Sequence, residues 1–186
     1  ASLAHGAFFG IGAYGVGIMT KAGVSFWLAL PISACITAFI GFLVGLLAFR
    51  TKGHYFAIVT LCFGVILWIV AGNWIELTGG HNGIFGLDRP SPIPIPFLGT
   101  LEFYSQPAQY YMVLFFLLLT LFVIHRIVYS VFGLSFMAIR NNEPLADAVG
   151  INTFATKMIS FTTANFIAGM AGGIYVSIIG AVSPSA

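Results

Sequence analysis

Charge is what this sequence has least of. Charged residues make up 6% of the 186, against about 25% in a soluble globular domain. A chain this poor in charge cannot cover its surface in water. That excludes the soluble classes and leaves an integral α-helical membrane protein. The net charge of +2 is small and its Lys and Arg are scattered, so no nucleic-acid surface can be built from them. Cysteine is scarce too. Cys35 and Cys62 both lie inside apolar runs, and they outline neither a disulfide framework nor a metal-binding pair. No catalytic group, metal or cofactor is expected. The first apolar run has no charged n-region, so Ala1–Met19 reads as a membrane segment rather than a signal peptide. The whole of residues 1–186 reads as one transmembrane domain, an internal piece of a longer membrane protein with further helices expected at both ends.

What is present is long apolar helix. Five membrane segments are expected, near residues 3–20, 24–49, 54–72, 108–125 and 157–180, which makes the fold class an all-α polytopic helix bundle. The first segment carries Gly6, Gly10, Gly12, Gly15 and Gly17. Its small-xxx-small pairs, Gly6/Gly10 and Ala13/Gly17, let a neighbouring helix approach closely in lipid. The same glycines weaken the helix, so a break or a re-entrant start is weighed beside a continuous one. The second segment, Val24 to Phe49, would run about 39 Å as a helix, enough to span with tilt. It contains Pro31 and a further small pair, Gly41/Gly45. In the last segment Gly169, Gly173, Ser177 and Ala181 stand four apart, a ladder of small residues for helix packing. His5 and Asn165 are the candidate pathway residues. Each also has a plainer reading, a helix-end group for His5 and an interhelical hydrogen bond for Asn165.

Two extramembrane stretches differ from the rest. Thr78–Pro107 holds a turn cluster, Thr78-Gly79-Gly80-His81-Asn82-Gly83, and then the alternating prolines Pro90, Pro92, Pro94 and Pro96, which favour extended backbone. It lacks the preceding strand and the Lys-Ser/Thr pair of a phosphate-binding loop. Phe132–Lys157 mixes charges of both signs with apolar positions. Within it, Pro144 suits the first turn of a short helix capped by Asn142 or Glu143, and Gly150 suits its end. That helix is too short to stand alone. It reads as a docking surface held at the membrane edge, with Leu145 and Val149 as its apolar stripe. If the five segments alternate, Arg50, Lys52, Arg126, Arg140 and Lys157 fall on one side, with Lys21 and Arg89 on the other. The positive-inside rule then makes Phe132–Lys157 cytoplasmic and Thr78–Pro107 periplasmic.

Four motifs occur in order: His-Gly-Ala-Phe-Phe-Gly-Ile-Gly-Ala-Tyr (His5–Tyr14), Tyr-Phe-Ala-Ile-Val-Thr-Leu (Tyr55–Leu61), Thr-Gly-Gly-His-Asn-Gly-Ile (Thr78–Ile84), and the stretch from Ala138 to Asn152. Together they resemble the permease subunits of bacterial branched-chain amino acid ABC importers, of the LivM type. The resemblance implies a cytoplasmic coupling helix at Ala138–Asn152 that sits in a groove of the ATPase subunit. Arg140, Glu143, Ala146, Asp147, Ala148 and Gly150 match the family pattern there, while Asn141, Asn142 and Pro144 depart from it. It also implies inner-membrane transport of branched-chain amino acids by alternating access, with no bond chemistry in this chain. The implied partners are ATP-binding cassette subunits, a second permease subunit in a heterodimer, a periplasmic substrate-binding protein and membrane lipid. The competing readings are a related permease for urea, amides or another small solute, a secondary transporter or channel, and a membrane anchor without transport. A secondary transporter normally shows an ionisable residue or a filter motif within a span, and neither is evident. The glycine-rich, polar spans argue against an anchor.

The orientation is testable. Single cysteines introduced as Ser91→Cys and Ser135→Cys are expected to react with an impermeant reagent from opposite faces of the cell. Labelling of both from one face would overturn the assignment.

Overall fold

A computed structural model describes residues 4–51, 54–87, 93–95, 99–101 and 105–184. The expectations that concern Lys52, Arg89, Ser91 and the prolines Pro90, Pro92 and Pro96 lie outside the described residues. Helices α1 (His5–Lys21), α2 (Phe26–Ala48) and α3 (His54–Asn73) come first. A single turn, α4 (Ile75–Thr78), and a 3-10 turn, Gly80–Asn82, follow. Three short strands come next, β1 (Ile84–Phe85), β2 (Ile93–Ile95) and β3 (Gly99–Leu101). Helices α5 (Gln106–Val128), α6 (Val131–Asn141), α7 (Glu143–Ala148) and α8 (Thr153–Ile179) then lead to β4 (Ala181–Val182).

Among the described residues, four helices are long and apolar enough to cross a membrane: α2, the Tyr55–Asn73 part of α3, α5 and α8. The remaining expected segment, α1, is 17 residues long, about 25 Å at 1.5 Å per residue. It is continuous despite its glycines. Pro31 is accommodated inside α2.

The core is a three-helix seam of α1, α2 and α8, the elements that pack most extensively against one another. A side chain at Gly12 would strike the backbone of Gly169, and one at Gly172 would strike the carbonyl of Phe9. Along α8 the partners advance in step. Gly173 meets Val16 of α1 and Leu30 of α2, each 2.7 Å from where its Cβ would sit, and Gly169 meets Thr37 of α2. Gly41 faces Asn165, and Gly45 faces Met158 and Phe161. Ascending numbers on α1 and descending numbers on α2 make α1 parallel and α2 antiparallel to α8. Ser33 adds a buried interhelical bond, donating from Oγ to the Gly12 carbonyl at 2.9 Å. Ser177 is buried on α8 and donates to that helix's own backbone at the Ile174 carbonyl.

Two expectations about packing need correction. Gly6 and Gly10 meet no atom of the described residues within 4 Å of an added Cβ, so their spacing marks no helix contact among those residues. The small-xxx-small pattern records spacing, whereas the contact face of α1 is the one through Gly12. Ala181 leaves the helical ladder altogether and enters β4, because Gly180 ends α8 in the left-handed conformation at φ 73°.

The short strands add something the all-α expectation did not contain. β1 pairs antiparallel with β4, Ile84 opposite Val182 and Phe85 opposite Ala181. This ties the turn cluster to the end of α8. Gly83, at φ 79°, lies so close to the Val182 carbonyl that no side chain fits. β2 and β3 form a separate antiparallel pair. The β1–β4 pair and α7 therefore lie at opposite ends of α8, whose 27 residues span about 40 Å.

Seam glycines are expected to be intolerant, and glycines off the seam are not. Gly172→Ala and Gly173→Leu should each lower the yield of folded, detergent-stable protein several-fold by forcing backbones apart. Gly64→Ala is the control. Its Cβ would make an ordinary contact with Ala7 at 3.8 Å while gaining about 1 kcal/mol of helix propensity. Fluorescence-detected size-exclusion chromatography checks all three. Equal profiles would mean that the seam does not hold the bundle.

Candidate functional site

The stretch from Asn142 to Asn152 folds as one built unit. Asn142 has extended backbone, φ −157°, and caps α7. Its Oδ1 accepts from the Leu145 N–H at 3.1 Å. Glu143 places a negative charge in the first turn, where the helix dipole favours it. At the other end Gly150 takes φ +88°. Its N–H donates to the Asp147 carbonyl at 3.0 Å, and the Ile151 N–H donates to the Ala146 carbonyl at 3.0 Å. This pair of bonds is a Schellman closure, which satisfies carbonyls that the end of a helix would otherwise leave open. Two residues later Asn152 caps α8, its Oδ1 accepting from the Ala155 N–H at 2.9 Å. The connection from α7 to α8 thus has little slack.

A helix of six residues is not stable alone, and two contacts hold this one. Ala146 is buried at 3% exposure, and Lys157 of α8 forms an ion pair with Glu143. Both charged side chains remain substantially exposed, so the pair is worth about 0–1 kcal/mol and serves mainly to locate α7. The opposite face is bare. Leu145 and Val149, four apart, are 61% and 68% exposed. Arg140, Asp147, Ala148 and Gly150 are exposed as well. Ala146 is therefore the anchor among the six expected coupling residues; the other five are exposed, with Glu143 tied back to Lys157.

The two candidate pathway residues do not come together. His5 is exposed at the start of α1 and lines a cavity beside Arg140 and Lys157. Asn165 is fully buried within the seam and does not line that cavity. The interhelical hydrogen bond expected of Asn165 is not formed, since neither Oδ1 nor Nδ2 has a partner. The reason is local. At that level α2 presents Gly41, which has no side chain. Thr37, one turn away, directs its hydroxyl to its own helix at the Ser33 carbonyl, 2.8 Å away. Thr162 Oγ1, one turn before Asn165, is likewise buried without a partner. Among the described residues no group of His, Cys, Asp or Glu is placed to hold a metal.

The ion pair between Glu143 and Lys157 was not legible in advance. Its members are 14 residues apart, and the one available signal was opposite charge on either side of an expected turn. The Asn152 cap was legible in principle, from an Asn directly before an apolar helix. Gly12 and Gly172 were hidden among many glycines.

The model of the family described as branched-chain amino acid transport system, permease component, matches residues 1–186. The chain belongs to this family. It is 34% identical to the high-affinity branched-chain amino acid transport system permease protein LivM of Salmonella typhimurium, over 98% of this chain and 47% of that relative. It is equally similar to the LivM protein of Escherichia coli, with 34% identity over 98% of this chain and 47% of that one. A third relative is the autoinducer 2 import system permease protein LsrC of an Enterobacter species, 29% identical over 95% of this chain and 48% of that protein. The chain spans about half the length of the curated relatives it matches. No solved structure matches it. Membership of a permease family, together with the long apolar helices, makes this a multi-pass membrane protein.

In this permease the α7 caps are open to direct test. Asn142→Ala removes an N-cap bond worth about 1 kcal/mol. Amide exchange at residues 145–149 should accelerate roughly fivefold by hydrogen–deuterium exchange, with α8 beyond Met158 unchanged. Unchanged exchange at 145–149 would mean that the cap does not hold α7.

Proposed function

We propose that this chain is part of the membrane-spanning subunit of an ATP-driven importer, passing branched-chain amino acids across the inner membrane by alternating access. The observation that carries the reading is α7, a short helix capped at both ends, joined to α8 almost without slack, and presenting Leu145 and Val149 uncovered. In this reading α7 is the coupling helix and faces the cytoplasm, while the turn cluster at the far end of α8 faces the periplasm. A separate ATP-binding cassette subunit takes the Leu145/Val149 stripe in a groove, with Arg140 and Asp147 at the rim and Glu143 tied back to Lys157. The remaining partners are a second permease subunit, a periplasmic substrate-binding protein and the surrounding lipid. Nucleic acid has no part in it.

The mechanism follows from the mechanics. ATPase closure displaces α7, and the tight α7–α8 junction passes that displacement to α8 and the seam helices locked to it. The spans then change packing and open to the other side. A zwitterionic amino acid needs no strong fixed charge along its path, since polar side chains and helix ends suffice. Among the described residues, the buried side-chain polar atoms without a partner are the hydroxyls of Tyr14 and Thr162 and both ends of the Asn165 amide. The resemblance to the autoinducer 2 permease supports a second reading, the same device carrying another small solute.

Gly150→Val and Leu145→Asp test the coupling role. There is open space around Gly150, so the valine is strained by backbone conformation alone, at a cost of about 1–2 kcal/mol. The helix exit must then move. In proteoliposomes of the whole complex, both variants should insert but lose most of the ATPase stimulation by loaded binding protein, and lose uptake in parallel. Normal stimulation and uptake in both would leave α7 a connecting loop.

A further inference from the structure

A cavity of about 340 Å³ opens beside the start of α8, between the ends of α1, α2 and α6. The proposed transport mechanism uses one residue of its rim, Arg140, and leaves the recess itself without a role. One wall is aromatic, built from Phe49, Phe56, Phe136 and Phe161. The rings of Phe49 and Phe56 stack with centroids 5.0 Å apart, and Phe161 meets Phe49 edge-on at 5.6 Å, so the wall is preformed. The rim is cationic, with Arg140 from α6 and Lys157 from α8. No carboxylate lines the cavity. Arg140 has no ion-pair partner among the described residues, whereas Lys157 has Glu143. Ser160, one turn further into α8, adds a hydroxyl that makes no hydrogen bond to the described residues.

The cavity sits where α2 ends and α3 and α8 begin, at the level of the membrane surface. An apolar aromatic wall under two cations, one unpaired among the described residues (Arg140) and one shared with Glu143 (Lys157), matches a molecule with a hydrocarbon body and an anionic head. We propose that this cavity binds one anionic diacyl phospholipid. Its phosphate lies between Arg140 and Lys157, and the upper part of an acyl chain lies against the phenylalanines. Basic recesses between membrane helices are suited to anionic headgroups, at about 1 kcal/mol per cation. A free inorganic anion would satisfy the rim and leave the aromatic wall without a role. The proposal does not depend on which solute is carried. It would place a lipid directly against α6, the helix that leads into α7.

The test is native mass spectrometry of the full-length permease in its complex, delipidated and titrated with phosphatidylglycerol or phosphatidylcholine. Wild type should retain one phosphatidylglycerol in clear preference to phosphatidylcholine. Arg140→Gln should weaken that retention roughly fivefold, and Arg140→Lys should keep most of it. Ser160→Phe fills the cavity and leaves both cations in place. It should also lose the lipid, and it decides the matter if Arg140→Gln fails to fold. Equal retention of the two lipids would overturn the proposal, as would retention indifferent to both Arg140→Gln and Ser160→Phe. So would displacement of phosphatidylglycerol by inorganic phosphate at millimolar concentration, which would make the site one for a soluble anion. A cavity already filled by another protein segment would show as no retained lipid in wild type, and would overturn it equally.

Discussion

The contact of Gly12 with Gly169 is the constraint on which the rest of the structure depends. In lipid, apolar side chains gain little by leaving hydrocarbon for a helix neighbour, so association rests on close packing and a few polar bonds. Backbone-to-backbone approach gives the densest packing, and it requires residues without side chains. The cost is intrinsic helix stability, about 1 kcal/mol for each interior glycine relative to alanine. Helix α1, with five glycines in 17 residues, is a poor helix by that measure, yet it is continuous. Its recompense is the fit at Gly12, the neighbouring fit of Gly172 on the Phe9 carbonyl and the bond from Ser33 to the Gly12 carbonyl. Once α1 is seated, α2 is seated too, because the next turns of α8 alternate small against large with it: Gly169 under Thr37, then Asn165 over Gly41.

A locked seam changes what α7 can do. If α8 could slide freely against α1 and α2, a push on α7 would be absorbed as a local shift. With Gly169 and Gly173 in contact with both neighbours and Gly172 in contact with α1, such a push would move the three helices as one body. The paired helix caps at Asn142 and Asn152 and the closure at Gly150 remove the remaining slack at the junction. The bonds concerned are individually small, and their effect is geometric.

Local chemistry was legible in the sequence, and choice of face was not. The α7 unit could be read from Asn142, Pro144 and Gly150 because each acts on its own backbone within a few residues. The membrane segments could be read from the absence of charge. Gly6/Gly10 and Gly41/Gly45 share one spacing, yet among the described residues only the second pair meets another helix, since spacing does not say which side of a helix finds a neighbour. The pairing of Ile84 with Val182 joins positions far apart in the sequence, and two residues per strand leave no alternating pattern to recognise. Asn165 was legible as a polar group facing protein. That it would lack a hydrogen bond was not, because this depends on Gly41 standing opposite.

The seam also limits where movement and passage can occur. A solute cannot pass between backbones already in contact, so the tight face of α8 toward α1 and α2 is closed to it. Helices α3 and α5 are built differently. Met112 is the one buried residue of α5, and α3 exposes Ile58, Leu61, Val65, Ile66 and Ile69. Elements with few buried contacts are the ones that reposition at low free-energy cost. The division is therefore between a tightly packed group of α1, α2 and α8 and helices, α3 and α5, that bury little against it. Asn165 and Thr162 lie in the tightly packed group. Their unpaired amide and hydroxyl cost about 1–3 kcal/mol each while buried dry, and the close contacts one and two turns further along α8, at Gly169 and Gly173, offset that cost by holding the seam shut around them.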